Sequence, residues 1–315
     1  MNLISSTRNT PLLEVKNFSL TFHSDRKDRQ EPLTQVIRQF DITIREGEIM
    51  AVVGASGSGK SLLADAILGI LPENATCKGM LHYKGEPLTE KRRKHLCGDQ
   101  IMLIPQSLNA LDPLMKTGKQ VQTVMKGKGK KDGQRAVFRK VGLPDHVSNQ
   151  YPFELSGGMA RRVLIATAMV SNAHFIIADE ATPGIDPHAL GEMVTFIKHL
   201  AMEGKGVMFI THDIETALQV ADKVAVFYAG ETVEIANVED FSGTGETLRH
   251  PYTKALWNSL PQNGFVPLEG HQPLADEKGK GCAFQPRCQR ATDICLQKQP
   301  ESRIVKAGMV RCFHA

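Results

Sequence analysis

A glycine-rich turn between an apolar strand and a helix constrains the fold more than any other feature of this sequence. Residues 49–53 are all apolar, as expected for a strand at the centre of a sheet that is covered on both faces. The segment that follows fits the pattern G-x-x-x-x-G-K-[ST] in full. Its small residues let the backbone wrap closely round an anion, and the next helix directs its positive end at the same place. The sequence therefore predicts a phosphate-binding turn built from Gly54, Ser56, Gly57, Ser58, Gly59, Lys60, Ser61 and Leu62.

Two carboxylates close a second apolar strand. Residues 175–178 are apolar and lead directly into Asp179 and Glu180. We expect Asp179 to reach a magnesium ion through water, and Glu180 to polarise an attacking water as general base. By itself such a strand end is common, but together with the phosphate-binding turn it predicts a P-loop NTPase that binds ATP. Lys60 then supplies positive charge to the β- and γ-phosphates, and the Ser61 hydroxyl is a ligand for Mg²⁺.

A serine and two glycines lie about 23 residues before Asp179, in the segment Leu-Ser-Gly-Gly-Met at 155–159. Ser156 and the N–H groups of Gly157 and Gly158 are placed to open a helix, which again gives an anion-facing terminus. At this position the segment resembles the signature of the ABC family. In that family the signature closes on ATP held by the opposite subunit, so the resemblance makes these three residues part of the nucleotide site.

Four further residues match the ABC family in the same order along the chain. Gln106 resembles the Q-loop glutamine, which senses magnesium and connects to the helical subdomain. Asp186 lies in a segment that resembles the D-loop, which crosses the dimer interface. His212 resembles the switch histidine that contacts the γ-phosphate, with a cap on the following helix as the alternative. Phe22 matches the aromatic that stacks on adenine, with a core position as the alternative.

The resemblance covers roughly residues 12–260, and its departures are small. Residues 160–162 read Ala-Arg-Arg where the family more often has a glutamine and an arginine. Ala181 stands where proline is usual, and Gly184 and Ile185 replace a more common Ala-Leu type pair. None of these changes removes a catalytic group. The resemblance therefore implies an ATPase that couples ATP hydrolysis to transmembrane import, while the departures leave room for unequal sites in a heterodimer.

The order of strands and helices predicts the fold class. Apolar strands alternate with helical stretches, which is typical of an α/β fold with a mostly parallel core sheet. The resemblance to ABC-type P-loop NTPases adds an antiparallel β subdomain and a helical signature subdomain at about 107–170. We predict a nucleotide-binding domain over 12–242 and a C-terminal extension with a cysteine cluster over 243–315.

Four of the six cysteines crowd into the last 34 residues, and the other two are isolated. In a reducing cytoplasm such a cluster is more typical of a metal site than of disulfides. The spacing, C-x5-C-x6-C-x16-C, matches neither the common zinc knuckles nor the ferredoxin patterns. Spacing alone therefore leaves an iron–sulfur cluster, zinc or free thiols open, on Cys282, Cys288, Cys295 and Cys312.

The extension also indicates a branch of the ABC family. The segment His-Pro-Tyr-Thr-Lys-Ala-Leu at 250–256 and the cysteine tail are similar to segments of peptide and nickel importers. Several members of that branch carry a four-cysteine tail of iron–sulfur type, which implies a [4Fe–4S] cluster here, with Zn²⁺ as the alternative. The resemblance implies import of di- or oligopeptides, with nickel or a metal–chelator complex as the alternative. It also implies three kinds of partner: a sister ATPase subunit, in a heterodimer rather than a homodimer, two transmembrane permease subunits and an extracytoplasmic substrate-binding protein.

Charge and hydropathy set the expected location. The net charge of +4 does not argue for a nucleic-acid partner. No apolar run reaches the roughly 18 residues that a membrane span needs, and residues 1–11 lack the apolar centre of a signal peptide. We therefore expect a peripheral protein at the cytoplasmic face of the cell membrane. A non-transport ABC ATPase, or a redox-sensing module in which the cysteine tail is the function, stays an alternative.

Overall fold

The computed structural model describes residues 10–23, 34–55, 57–180, 187–273 and 279–315. The strands, in chain order, are β1 (Leu13–Phe22), β2 (Thr34–Ile44), β3 (Ile49–Gly54), β4 (Ala75–Tyr83), β5 (Glu86–Pro87), β6 (Ile101–Ile104), β7 (Phe175–Asp179), β8 (Gly206–Thr211), β9 (Lys223–Tyr228), β10 (Glu231–Asn237), β11 (Arg303–Val305) and β12 (Gly308–Val310). The helices are α1 (Lys60–Leu68), α2 (Glu90–Leu96), α3 (Thr117–Val124), α4 (Lys130–Lys140), α5 (Gly157–Val170), α6 (Pro187–Met202), α7 (Ile214–Val220), α8 (Pro251–Asn258) and α9 (Asp293–Gln297).

One mixed sheet organises the described chain. Its order is β5-β4-β1-β2-β10-β9-β3-β8-β7-β6, with the β11–β12 hairpin attached to β10. The strands β9, β3, β8, β7 and β6 are parallel neighbours and form the core. Strands β1, β2, β4 and β5 are antiparallel to one another. The predicted parallel core and the antiparallel β subdomain are therefore both present.

The apolar character of β3 has a direct structural cause. Its residues alternate between two hydrophobic clusters: Ile49, Ala51 and Val53 join one, and Met50 and Val52 join the other. The first cluster includes residues of α3 to α7, and the second includes residues of α1 and the antiparallel strands. Because both faces are covered, all six residues of β3 are buried.

Helix α1 follows the phosphate-binding turn and ends at Leu68. Gly69 adopts φ +73° and its N–H donates to the Asp65 carbonyl, which closes the helix with a left-handed cap. The helical subdomain consists of α3, α4 and α5 with short 3₁₀ turns between them.

The C-terminal extension is more regular than its sequence suggests. It contains α8, α9 and the β11–β12 hairpin, and β12 pairs with β10 of the main sheet. The domain boundary after residue 242 stays a prediction. None of the helices in the described ranges is both long and apolar enough to span a bilayer.

Candidate nucleotide site

The phosphate-binding turn is fitted closely between β3 and α1. At Gly54, where β3 pairs with Phe227 of β9, an added Cβ would lie 2.4 Å from the Phe227 carbonyl oxygen, so only glycine fits. Gly59 adopts φ +99° immediately before α1. The Lys60 ammonium donates to the carbonyls of Gly54 at 2.9 Å and Ala55 at 2.8 Å. Burial lowers the pKa of Lys60, and Glu180 and Asp179 partly offset that effect.

These contacts hold the Lys60 ammonium at the mouth of the turn, where the lysine of P-loop proteins binds the β- and γ-phosphates. The Lys60 side chain also lies 3.4 Å from the Ser58 hydroxyl. Gly57 has φ +74°, and an added Cβ there would meet no atom within 4 Å. The structure therefore brings together the predicted residues 54 and 57–62 at the start of α1. The predicted Ser56 lies outside the described residues.

Two oxygen ligands suited to magnesium lie side by side. The Ser61 hydroxyl donates to Asp179 Oδ1 at 3.2 Å, which joins the first turn of α1 to the end of β7. Burial raises the pKa of Asp179, the hydrogen bond from Ser61 lowers it, and the charges of Glu180 and Asp65 raise it. Hydroxyl and carboxylate oxygens are the hard donors that Mg²⁺ prefers. The donor set therefore fits the predicted ion.

Three predicted residues from distant segments meet at one carboxylate. Gln106 Nε2 donates to Glu180 Oε2 at 2.8 Å, and His212 Nδ1 lies 3.3 Å from Glu180 Oε1. The Glu180 N–H donates to the Ile210 carbonyl at 2.9 Å, and its φ of +40° lies in the left-handed region. Non-glycine residues held in this region cluster at active sites. Glu180 is therefore oriented from both its backbone and its carboxylate, as a general base requires.

The alternative role for His212, a cap on the next helix, belongs to its neighbour. Asp213 accepts hydrogen bonds from the N–H groups of Glu215 at 3.0 Å and Thr216 at 3.3 Å, and so caps α7. The His212 side chain is half exposed and points at Glu180 instead. Its ring is thus available to the nucleotide site.

The signature segment forms the expected helix start. Ser156 is the N-cap of α5, and its hydroxyl accepts from the Met159 N–H at 3.3 Å. An added Cβ at Gly158 would meet no atom within 4 Å, so the terminus is open to a ligand. No hydrogen bond between described residues connects Ser156 or Gly157 to the phosphate-binding turn. Within the described residues, this helix terminus therefore lies apart from the phosphate-binding turn, and its N–H groups have the geometry that suits an anion.

Two other predicted nucleotide contacts stay predictions. Phe22 ends β1 and is partly buried against the apolar cluster that contains α1 residues. This position is compatible with adenine stacking and with a core role. Asp186 lies outside the described residues, as does most of the segment that resembles the D-loop.

Sequence reasoning missed a contact between the signature helix and the Q-loop. Arg161 Nη2 donates to the Gln106 carbonyl at 3.4 Å. Arg161 belongs to the segment 160–162, where this chain departs from the family pattern. That departure was the available signal, since an unusual charged residue near a catalytic loop requires a partner.

The four tail cysteines form no disulfide, and their thiols lie close enough to influence one another's pKa. Cys295 and Cys312 are buried, and Cys282 and Cys288 are partly buried. Burial raises the pKa of Cys282 to about 11, and the neighbouring Cys295 and Cys312 add smaller contributions. The Cys282 N–H donates to the Cys295 carbonyl at 2.8 Å. Within the described chain, no three His, Cys, Asp or Glu side chains are grouped tightly enough to hold a metal ion.

The fold and the site geometry define the class of protein. A phosphate-binding turn, a paired Ser61 and Asp179, an oriented Glu180 and an open signature helix form an ATP-binding cassette. Two family descriptions match the chain: "ABC transporter" over residues 37–183, and "Oligopeptide/dipeptide transporter, C-terminal region" over residues 233–295.

Curated relatives agree with both matches. The oligopeptide transport ATP-binding protein AppD of Bacillus subtilis is 34% identical over 323 residues, which cover 96% of this chain and 96% of the relative. The dipeptide transport ATP-binding protein DppD of Haemophilus influenzae is 31% identical over 96% of this chain and 94% of the relative. The OppD protein of Mycobacterium tuberculosis is 34% identical over 93% of this chain, which spans about half (50%) of that relative.

Solved structures show the same fold. The dimeric cassette MJ0796, described as a post-hydrolysis state with ADP and Pi, matches with a TM-score of 0.63 and 24% identity. The match covers 72% of this chain and 98% of that cassette. This chain belongs to the ATP-binding subunits of oligopeptide/dipeptide ABC transporters, a family of ATPases that couple hydrolysis to transport.

Proposed function

We propose that this chain hydrolyses ATP to drive an importer of di- and oligopeptides. The observation that carries the proposal is the Glu180 carboxylate, held by Gln106 at 2.8 Å and His212 at 3.3 Å beside the phosphate-binding turn. A carboxylate with a purely structural role would not require polar partners from two distant segments beside the phosphate-binding turn. The Bacillus and Haemophilus relatives are named as oligopeptide and dipeptide transport proteins, which supports peptides as the cargo.

The residues of the site divide the chemistry among them. The backbone of the turn and Lys60 bind the phosphates, and the Lys60 charge compensates the γ-phosphate. Ser61 and Gln106 would hold Mg²⁺ directly and Asp179 through water, and the ion would supply charge neutralisation between the β- and γ-phosphates. Glu180 orients the attacking water and accepts its proton. His212 and Gln106 fix the two carboxylate oxygens, so that the base needs little reorganisation.

We propose that the complete site needs two chains. Among the described residues, the open helix start at Ser156 makes no hydrogen bond to the phosphate-binding turn that contains Lys60. Two cassettes packed head to tail would bring Ser156, Gly157 and Gly158 of one onto ATP held by the other, with Asp186 at the interface. These contacts exist only with nucleotide bound, and that differential affinity drives closure. The similar cassette MJ0796 is described as dimeric. The resemblance to the importer family favours a sister subunit over a second identical copy as the other cassette.

A groove beside the Q-loop suits the permease subunits. It has a volume of about 370 Å³, and Pro105, Leu111 and Met115 contribute to its walls. Leu114, which precedes Met115 in the chain, has an 88% exposed side chain that a partner in this groove could cover. Because Pro105 precedes Gln106, a permease segment in this groove would sense the nucleotide site. The chain would then lie peripherally on the cytoplasmic face of the membrane, and an extracytoplasmic binding protein would deliver the cargo.

We propose a [4Fe–4S] cluster on Cys282, Cys288, Cys295 and Cys312. The described side chains contain no group of three or more metal-ligating residues close enough to hold an ion. The proposal is supported instead by the electrostatic proximity of the Cys282, Cys295 and Cys312 thiols and by the resemblance of the tail to the four-cysteine tails of this branch.

Colour tests the cluster. Protein purified without oxygen should be brown, with broad absorbance near the blue end of the spectrum. Cys288→Ser should bleach the colour and leave MgATP binding largely intact. Cys97→Ser is the matched control, because that thiol contacts the Leu68 carbonyl far along the chain from the tail. A colourless preparation with stoichiometric zinc would exclude the cluster.

Transport tests the cargo and the partners. The chain, co-purified with its membrane subunits and placed in proteoliposomes, should show ATP hydrolysis that rises when the binding protein carries a di- or oligopeptide. Stimulation by nickel or a nickel chelate instead would assign the alternative cargo. An absence of Mg²⁺-dependent ATP binding in the complex would refute the ATPase function itself.

A further inference from the structure

The antiparallel β subdomain meets the core sheet at a short joint. Strand β2 and strand β10 pair in parallel through one residue pair, Gln39 and Glu231. The N–H groups of Arg38 and Gln39 both donate to the Gly230 carbonyl, at 2.8 Å and 3.3 Å. Beyond this point the two strands need other contacts to keep their relative orientation.

Arg311, from the C-terminal extension, bridges this joint. Its N–H donates to the Val233 carbonyl of β10 at 2.9 Å. Its guanidinium donates to Gln39 Oε1 at 2.7 Å and to the Asp41 carboxylate, both on β2. Only 3% of the Arg311 side chain is exposed, so the ion pair is shielded from solvent. One residue therefore holds β10 through its backbone and β2 through its side chain.

Asp41 extends the connection to two more elements. Its Oδ1 accepts from the Asn17 N–H of β1 at 2.8 Å, where β1 has an irregularity in its pairing with β4. Its own N–H donates to the Thr232 hydroxyl of β10 at 3.1 Å. Arg311 and Asp41 thus tie together β1, β2, β10 and the segment that follows β12. We name this set of contacts the Arg311 joint.

The Arg311 joint lies between the two halves of the nucleotide site. Strand β1 ends at Phe22, whereas the phosphate-binding turn belongs to the core sheet. From Asn17 to Phe22, β1 spans about 17 Å, so a rotation of about 5° at the joint would move Phe22 by about 1.5 Å. Such a displacement is large enough to weaken a stacking contact without touching the phosphates.

We infer that Arg311 is a positioning residue that sets the distance between the adenine-binding side of the site and the phosphate-binding turn. The inference rests on the proposed function, because it takes Phe22 as the adenine contact. It assigns a role in nucleotide affinity to a residue of the C-terminal extension, next to Cys312. The contribution of the adenine to ATP affinity should therefore depend on Arg311, and the contribution of the triphosphate should not.

The test compares two ligands that differ only in the nucleoside. The full chain binds MgATP and magnesium tripolyphosphate, measured by calorimetry or by competition with a fluorescent nucleotide. Arg311→Met should raise the Kd of MgATP about tenfold through misplacement of the adenine contact, and should change the Kd of tripolyphosphate less than about twofold. Asp41→Asn should give the same pattern, and Arg311→Lys a weaker one. Equal weakening of both ligands, or no change in either, would overturn the inference.

The matched control is Arg303→Met. Arg303 is also an arginine of the extension, but its guanidinium donates to the carbonyls of Cys312 and Ala315, each at 2.8 Å, and so stays within the tail. It should leave the ratio of the two Kd values unchanged. If Arg311→Met does not fold, Arg311→Lys and Asp41→Asn decide the question by the same ratio. Wild-type chain without affinity for MgATP would refute the proposed function, whereas normal wild-type binding with an unchanged ratio in the variants would refute this inference alone.

Discussion

Replacement of Glu180 by glutamine separates catalysis from binding at this site. The carboxylate accepts from Gln106 at Oε2 and lies against His212 at Oε1. Glutamine keeps the shape and one acceptor oxygen, which can face Gln106. Its NH₂ group then faces His212 Nδ1, which accepts in the tautomer that carries its proton on Nε2. Both contacts survive, so the geometry of the site should be retained.

The Glu180→Gln substitution therefore removes the proton acceptor and leaves the surrounding contacts in place. General-base removal typically slows a reaction by about 10²–10⁴-fold. At about 1.36 kcal/mol per factor of ten, this is a rise of about 2.7–5.5 kcal/mol in the activation barrier. Because the hydrogen bonds are preserved, the Kd of MgATP should change by less than about threefold, or about 0.7 kcal/mol.

Single-turnover hydrolysis of radiolabelled ATP measures the chemical step, and equilibrium binding of a fluorescent ATP analogue measures affinity. Glu203→Gln serves as control, since Glu203 pairs with Lys140 at the surface. A Glu180→Gln protein that hydrolyses ATP within about threefold of wild type would refute the general-base assignment. A variant that loses binding and hydrolysis in equal proportion would show that the carboxylate holds the site together instead.

The other predictions concern charge and protonation. Lys60→Ala should weaken MgATP binding by more than about 100-fold in calorimetry, because several charge-assisted hydrogen bonds are lost. Asp179→Asn should abolish the Mg²⁺ dependence of binding. It should also raise the Tm of the nucleotide-free chain at pH 7.5, because the folded-state pKa of Asp179 is raised and its charge therefore costs stability above that pKa. The Tm values of the variant and the wild type should converge as the pH falls towards 3.8. Burial lowers the pKa of His250 from 6.5 to about 3, so wild-type stability should fall as the pH drops below 6.5, and His250→Asn, which keeps the helix cap, should flatten that slope in urea titrations. Arg249→Met should cost about 3–5 kcal/mol in urea unfolding, because it leaves Glu234 buried and without its charged partner.

The parts of the site that lie within one short segment could be predicted from sequence. The phosphate-binding turn and the Ser156 cap are local, and their residue types follow from backbone conformation and helix-terminus chemistry. The acidic pair at the end of β7 was also predictable, since buried strands of α/β proteins end at the ligand side. The family resemblance placed Gln106 and His212 at the nucleotide site, but their contacts with Glu180 were not predicted, because sequence carries no distances between segments.

Strands β4 and β10 are among those that escaped prediction, each for a physical reason. Strand β4 is mostly exposed from Ala75 to Met80, so it lacks the apolar alternation that marks a strand. Strand β10 contains Glu231 and Glu234, which are buried at 3% and 0% exposure. Glutamates are rarely buried, and the partners that make their burial acceptable lie outside the strand: Arg249 pairs with Glu234, and Arg38 lies 3.7 Å from Glu231. Compensation of this kind is visible only in three dimensions.

The position of β12 bears on how the protein is made. Its partner β10 leaves the ribosome well before residues 308–310 are translated, so Glu234 and Ile235 of β10 lack this pairing partner until the hairpin follows. A chain shortened before residue 308 would leave that stretch of β10 uncovered, and proteases should recognise the shortened product through it.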